Sequence, residues 1–144
     1  MDRSPDVVRN ASNDNILEFN VPGIEQEDFE VFGRKYSVPD PDKIFERGRN
    51  TFLTLQERGG NIAGNTMTTY LQLAGALYNV RSSLRQAEEF ASAAMECAQR
   101  SHEGIAEMLL RSRATRAEKN AIGWLERCQP FFKLISGIEK GRTD

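Results

Sequence analysis

One histidine, His102, stands between Ser101 and Glu103, with Glu107 five residues further on. Histidine is the usual general base near neutral pH, and a Ser-His-Glu run invites a reading as nucleophile, base and orienting acid. Successive helical residues point away from one another, so these three cannot converge on one substrate atom. A structural role is expected for His102. Cys97 and Cys128 have no companion at metal-ligand or redox spacing and read as buried free thiols. Glu25, Glu27, Asp28 and Glu30 lack the glycine-centred Asp-x-Asp pattern of a calcium loop and read as a solvated acidic face. Gly59, Gly60 and Gly64 lack the Lys-Ser/Thr of a phosphate loop and read as a linker. No catalytic, cofactor or metal residue is assigned, and the chain is expected not to be an enzyme.

What remains is chemistry of binding. Arg111, Arg113, Arg116 and Lys119 form the densest basic cluster, offset by Glu118. Such a cluster could contact phosphate, but no aromatic is interleaved to stack on bases, which favours solvation or a protein contact. Trp124, Phe131 and Phe132 are either core or an aromatic anchor for a partner. Ile16, Leu17, Phe19 and Val21 lie on a stretch with strand character that could add to a partner's sheet edge.

These residues need elements to position them. Met67, Tyr70, Ala74, Leu77, Leu84, Ala91, Met95, Ala98, Ile105 and Leu109 form an apolar track at steps of three and four. Only a helix aligns such a track, and a stripe this narrow must lie against other helices. Tyr70, Leu77 and Leu84 are accordingly candidate partner contacts. Arg81, Glu88 and His102 interrupt the track, Gly104 is the expected bend, and alanines dominate between residues 87 and 98.

Before the track, Phe29, Val31, Tyr36 and Val38 alternate with polar residues around a turn at Gly33-Arg34, which reads as a hairpin. Asp40 is placed to cap a helix with Pro41 at its first position. Thr115 and Glu118 have capping-box spacing, placing a turn near Arg113-Ala114 and a last helix with Ala121, Trp124, Leu125, Cys128, Phe131, Phe132, Ile135 and Ile138 on one face. The expected organisation is a flexible tail over residues 1–13, an extended arm and hairpin over 14–39, and a helical domain over 40–144 with helices at about 41–58, 66–112 and 116–138. The fold class is mainly α, an N-terminal hairpin followed by a small antiparallel helical bundle with one long helix.

The chain of 144 residues, net charge -2 and pI near 5.6 has room for one domain and no general attraction to nucleic acid or anionic lipid. Residues 1–60 hold 8 Lys/Arg against 12 Asp/Glu, and residues 61–144 hold 11 against 9, so an acidic part precedes a weakly basic one. No apolar run is long enough to span a bilayer, and the first residues lack the apolar core of a signal peptide; a cytoplasmic location is expected.

The segment from Glu27 to Pro41, Glu-Asp-Phe-Glu-Val-Phe-Gly-Arg-Lys-Tyr-Ser-Val-Pro-Asp-Pro, resembles the opening of tail assembly chaperones from long-tailed bacteriophages. There a short hairpin and a Val-Pro-Asp-Pro-like step lead into helices. The Ile44–Leu55 helix, the polar gap and the Met67–Phe90 helix continue in a similar order. The later segments depart from that family in being longer and more apolar. The resemblance implies a non-enzymatic protein that coats the tape-measure protein and recruits tail-tube subunits, with no catalytic residues to carry over. A protein-binding assembly factor that self-associates is therefore the first expectation. A permanent virion or secretion-apparatus subunit is the second, and a small regulatory nucleic-acid binder using Arg111–Lys119 the third.

Overall fold

The computed structural model describes residues 23–58, 63–100 and 102–143. The expected flexible tail and the arm carrying Ile16, Leu17, Phe19 and Val21 lie outside the described residues.

Two strands, β1 (Gln26–Val31) and β2 (Arg34–Pro39), pair antiparallel with Phe29 opposite Tyr36 and Val31 opposite Arg34. Alternation places Phe29, Val31, Tyr36 and Val38 on one buried face. The turn residues are Phe32 and Gly33, one position earlier than the sequence suggests, with φ of 50° and 84°. Two successive positive φ values match the twist of a tight hairpin. Glycine adopts this freely, whereas an aromatic residue there costs about 1–2 kcal/mol and must be held by its surroundings.

At the base of the hairpin the Asp40 N–H donates to the Glu25 carbonyl at 2.8 Å. Asp40 then caps α1 (Pro41–Glu57), its carboxylate accepting from the Asp42 N–H at 3.0 Å while Pro41 fills the first turn. Asp40 and Pro41 thus take the cap and first-turn positions expected of them. Arg81 reaches back to Asp40 at 3.7 Å and Tyr78 donates to Asp42, so the next helix along the chain holds the same joint from the other side.

The remaining helices are α2 (Ala63–Ala98) and α3 (Gly104–Thr143). Here the sequence expectation is corrected: instead of one helix over 66–112 and another over 116–138, the chain breaks before Gly104 and runs unbroken through Arg113-Ala114 and Pro130. The polar run Gln99, Arg100, His102 and Glu103 gives a continued helix nothing to bury, and Gly104 opens the second helix rather than bending the first. Turning there lets two stripes face each other. On α2 the buried line is Tyr70, Leu73, Leu77, Val80, Leu84, Ala87, Ala91 and Ala94; on α3 it is Ala114, Ala117, Ala121, Leu125, Cys128, Phe132 and Ile135. Both lines keep the three-four step of an antiparallel helical hairpin. Asn120 donates to the Ser83 hydroxyl at 3.4 Å, and that crossing sets the alanines of α2 near Ala114 and Ala117 while the bulky halves meet farther along. The face from Ala121 to Ile138 therefore covers leucines and Tyr70 rather than the alanine stripe.

Helix α1 packs on α2 through Ile44 and Gly48. A Cβ at Gly48 would come 2.7 Å from Tyr70 Cγ, so only glycine admits the ring there. No helix among the described residues is long and apolar enough to cross a membrane.

Candidate functional site

Two carboxylates of α3 hold the smaller elements against the helical pair. Glu118, 5% exposed, accepts from Arg34 Nε at 2.7 Å and Nη2 at 2.6 Å, and from the Tyr36 hydroxyl. Glu139 accepts from Arg47 Nε at 3.0 Å and Nη2 at 2.6 Å, and from the Tyr70 hydroxyl at 2.5 Å. Each is a guanidinium fork plus a phenol on one carboxylate, the geometry in which an Arg–carboxylate pair is strongest. Burial and then the neighbouring carboxylate raise both phenols well above their ordinary value. The hydrogen bond to Glu118 holds the Arg34 guanidinium more firmly protonated still. These groups are clamps: their donors and acceptors are engaged with one another, and the Tyr hydroxyls are held in the un-ionised form.

Glu118 is thus not the capping residue its spacing with Thr115 suggests. The helix neither starts nor stops there, and the carboxylate turns inward to the hairpin. The sequence signal was available in another form, an acidic residue four positions after the buried Ala114 and three before the buried Ala121 on the core line.

With its base fixed, the hairpin lays its tip across the loop end of the α2–α3 pair. The Glu30 N–H donates to Glu88 at 2.9 Å, and Arg85 pairs with Glu27 at 3.0 Å. Beside the tip a groove of about 810 Å³ opens against α2, lined by the apolar Phe32, Ala91 and Met95 and by the carboxylates of Glu30, Glu88, Glu89 and Glu96. On its other side the Phe32 ring lies under the Arg111 guanidinium, 4.9 Å from carbon to ring centre. Arg111, also paired with Glu107 at 2.8 Å, borders a smaller hollow on α3 with Ser112, Thr115, Arg116 and Lys119. Arg113 is exposed but does not line this hollow. Between α2 and α3 the loop end presents Met95, Ile105, Met108 and Leu109 at 52%, 77%, 68% and 58% exposure.

The residues singled out from sequence fall into three groups. Tyr70, Leu77, Leu84 and Phe132 are core residues covered within the chain, so they meet a partner only if the helices separate. Tight three-four packing against α3 removes them from the surface. Trp124 and Phe131 are half-buried against that core, and Arg127 stacks on Trp124 at 4.5 Å. Arg111, Arg116 and Lys119 are brought together on one exposed face. The track's second half, from Met95 to Leu109, turns out to be the exposed apolar surface, a feature the periodicity disguised as core.

Cys97 and Cys128 are buried free thiols, and burial alone pushes the Cys128 thiol up to about 12. The His102 side chain is 82% exposed and lies 3.8 Å from Glu103. Among the described residues no group of three His, Cys, Asp or Glu side chains is placed to hold a metal ion. No family model, curated protein or solved structure matches the chain.

Proposed function

We propose that this chain is a non-enzymatic, protein-binding assembly factor of the tail-assembly-chaperone kind, which shields helical segments of a tape-measure protein until tail-tube subunits replace it. The observation that carries this reading is the loop end of α2 and α3, where Ile105, Met108, Leu109 and Met95 stay exposed beside an open groove. A chain able to bury its helical stripes leaves that many large apolar side chains on one end chiefly where another protein covers them. Methionines suit a surface that must accept varied helical sequences, because the unbranched thioether adapts its shape. The hairpin-to-helix step at Val38–Pro41, on which the resemblance to tail chaperones rests, lends further support.

The test is co-expression with a long helical segment of a tape-measure protein encoded beside this gene. The triple variant Ile105→Ser, Met108→Ser, Leu109→Ser should lose co-purification of that segment while keeping its melting temperature. Undiminished capture by the variant, or no capture by the parent chain, overturns the reading.

A further inference from the structure

We propose that two copies of this chain form a closed two-fold dimer about the hairpin tip, the acid-lined groove of each receiving the basic face of α3 from the other. The proposal does not rest on the chaperone reading. It rests on two surfaces of opposite charge that this one chain carries side by side.

The first surface is the groove, where the apolar Phe32, Ala91 and Met95 stand among carboxylates. The second is the α3 hollow bordered by Arg111, Arg116 and Lys119. Among the described residues, Glu89 and Glu96 on the first and Arg116 and Lys119 on the second have no ion-pair partner within the chain. Unpaired charge of opposite sign on two faces is the pattern that steers and selects an association.

Their placement selects the symmetry. Phe32 lines the groove and also carries Arg111 on its ring, so a single side chain separates the two faces. A half-turn about an axis beside Phe32 brings acid over base on one side and base over acid on the other. This is the isologous arrangement, in which residue i meets j and j meets i, and it closes at two copies. Phe32 and Met95 then become the desolvated centre, the position where aromatic residues and methionine are enriched in interfaces.

The experiment is sedimentation velocity on the full chain and two charge-reversed forms: Glu89→Lys with Glu96→Lys, and Arg116→Glu with Lys119→Glu. All four positions are exposed, and equal melting temperatures show that the fold is kept. The parent should sediment as a dimer that weakens as salt rises. Each reversed form sets like charge on like charge across both contacts and should weaken dimerisation at least about tenfold. Mixed in equal amounts, the two forms restore opposite charge at both contacts and should yield a heterodimer. Should either reversed form misfold, Glu89→Gln with Glu96→Gln and Arg116→Gln with Lys119→Gln should each still raise the dissociation constant. A monomeric parent, a parent that grows into open chains, reversed forms that dimerise undiminished, or a mixture that stays monomeric overturns the proposal. So does a monomeric parent that takes a basic amphipathic peptide into the groove instead.

Discussion

Removing the Glu118 carboxylate by Glu118→Ala should destabilise the fold by about 2–4 kcal/mol, a figure built from what each partner loses. The Tyr36 hydroxyl is buried and would be left without an acceptor, which costs about 1–3 kcal/mol. The Arg34 side chain is 43% exposed, so water recovers most of its solvation, and its pairing contributes at most about 1 kcal/mol. Lost packing of the glutamate stem supplies the remainder. Urea denaturation followed by circular dichroism reads the change as a shift in midpoint at constant slope. Tyr36→Phe removes the donor along with its need for an acceptor, so the double variant should cost less than the sum of the two, with a coupling of about 1–2 kcal/mol. Thr115→Ala separates this account from a capping box. A cap would lose about 1 kcal/mol, whereas an exposed mid-helix threonine replaced by alanine should leave stability unchanged or slightly raised. A cost under about 0.5 kcal/mol for Glu118→Ala, as ordinary surface changes give, or a nil coupling to Tyr36→Phe, would rule out the clamp.

Gly48→Ala gains about 1 kcal/mol of helix propensity, yet its new methyl meets Tyr70 first at Cβ, an atom that no rotation of the side chain moves aside. A net loss of about 1–2 kcal/mol is expected in thermal melts, and an unchanged or raised midpoint would show that α1 can back away. Stability should also fall in alkali. Tyr36, Tyr70 and Cys128 have folded values raised above their unfolded ones, so the unfolded chain releases protons that the folded chain keeps. Their contribution is whole below about pH 9 and drains as pH climbs toward 12 and beyond. Urea midpoints measured across that range should decline, less steeply in Tyr36→Phe, Tyr70→Phe; a flat profile contradicts the assignment.

The hairpin and α1 were legible because their signals are local. Alternation in β1 and β2, and an Asp-Pro start for α1, involve neighbours in sequence, and only the turn moved by a residue. The boundary between α2 and α3 was not legible in the same way. Met95, Ile105 and Leu109 keep the three-four step across the polar interval, and periodicity counts apolar residues without telling whether a partner helix faces them. The true core line keeps Tyr70, Leu77, Leu84 and Ala91 of the track, adds Leu73, Val80, Ala87 and Ala94 between them, and ends before Met95; the break becomes plain only when α3 supplies the opposing stripe. Glu118 was misread for a related reason. A three-residue spacing from Thr115 describes a cap and a shared helical face equally well, and the choice between them was made by Arg34 and Tyr36, more than eighty residues away in the chain.

The two clamps have one more effect. A seam in which alanines meet alanines is nearly featureless, and such helices could slide past each other by one heptad and still bury small residues against small. Glu118 and Glu139 stand 21 residues apart, three whole heptads, on α3. Any slip therefore pulls both carboxylates from their arginines and tyrosines at once, leaving charged and phenolic groups stranded in apolar surroundings. The clamps act like the marks of a ruler: the hydrophobic stripes decide that the helices meet, and these two glutamates decide where along their length they stop.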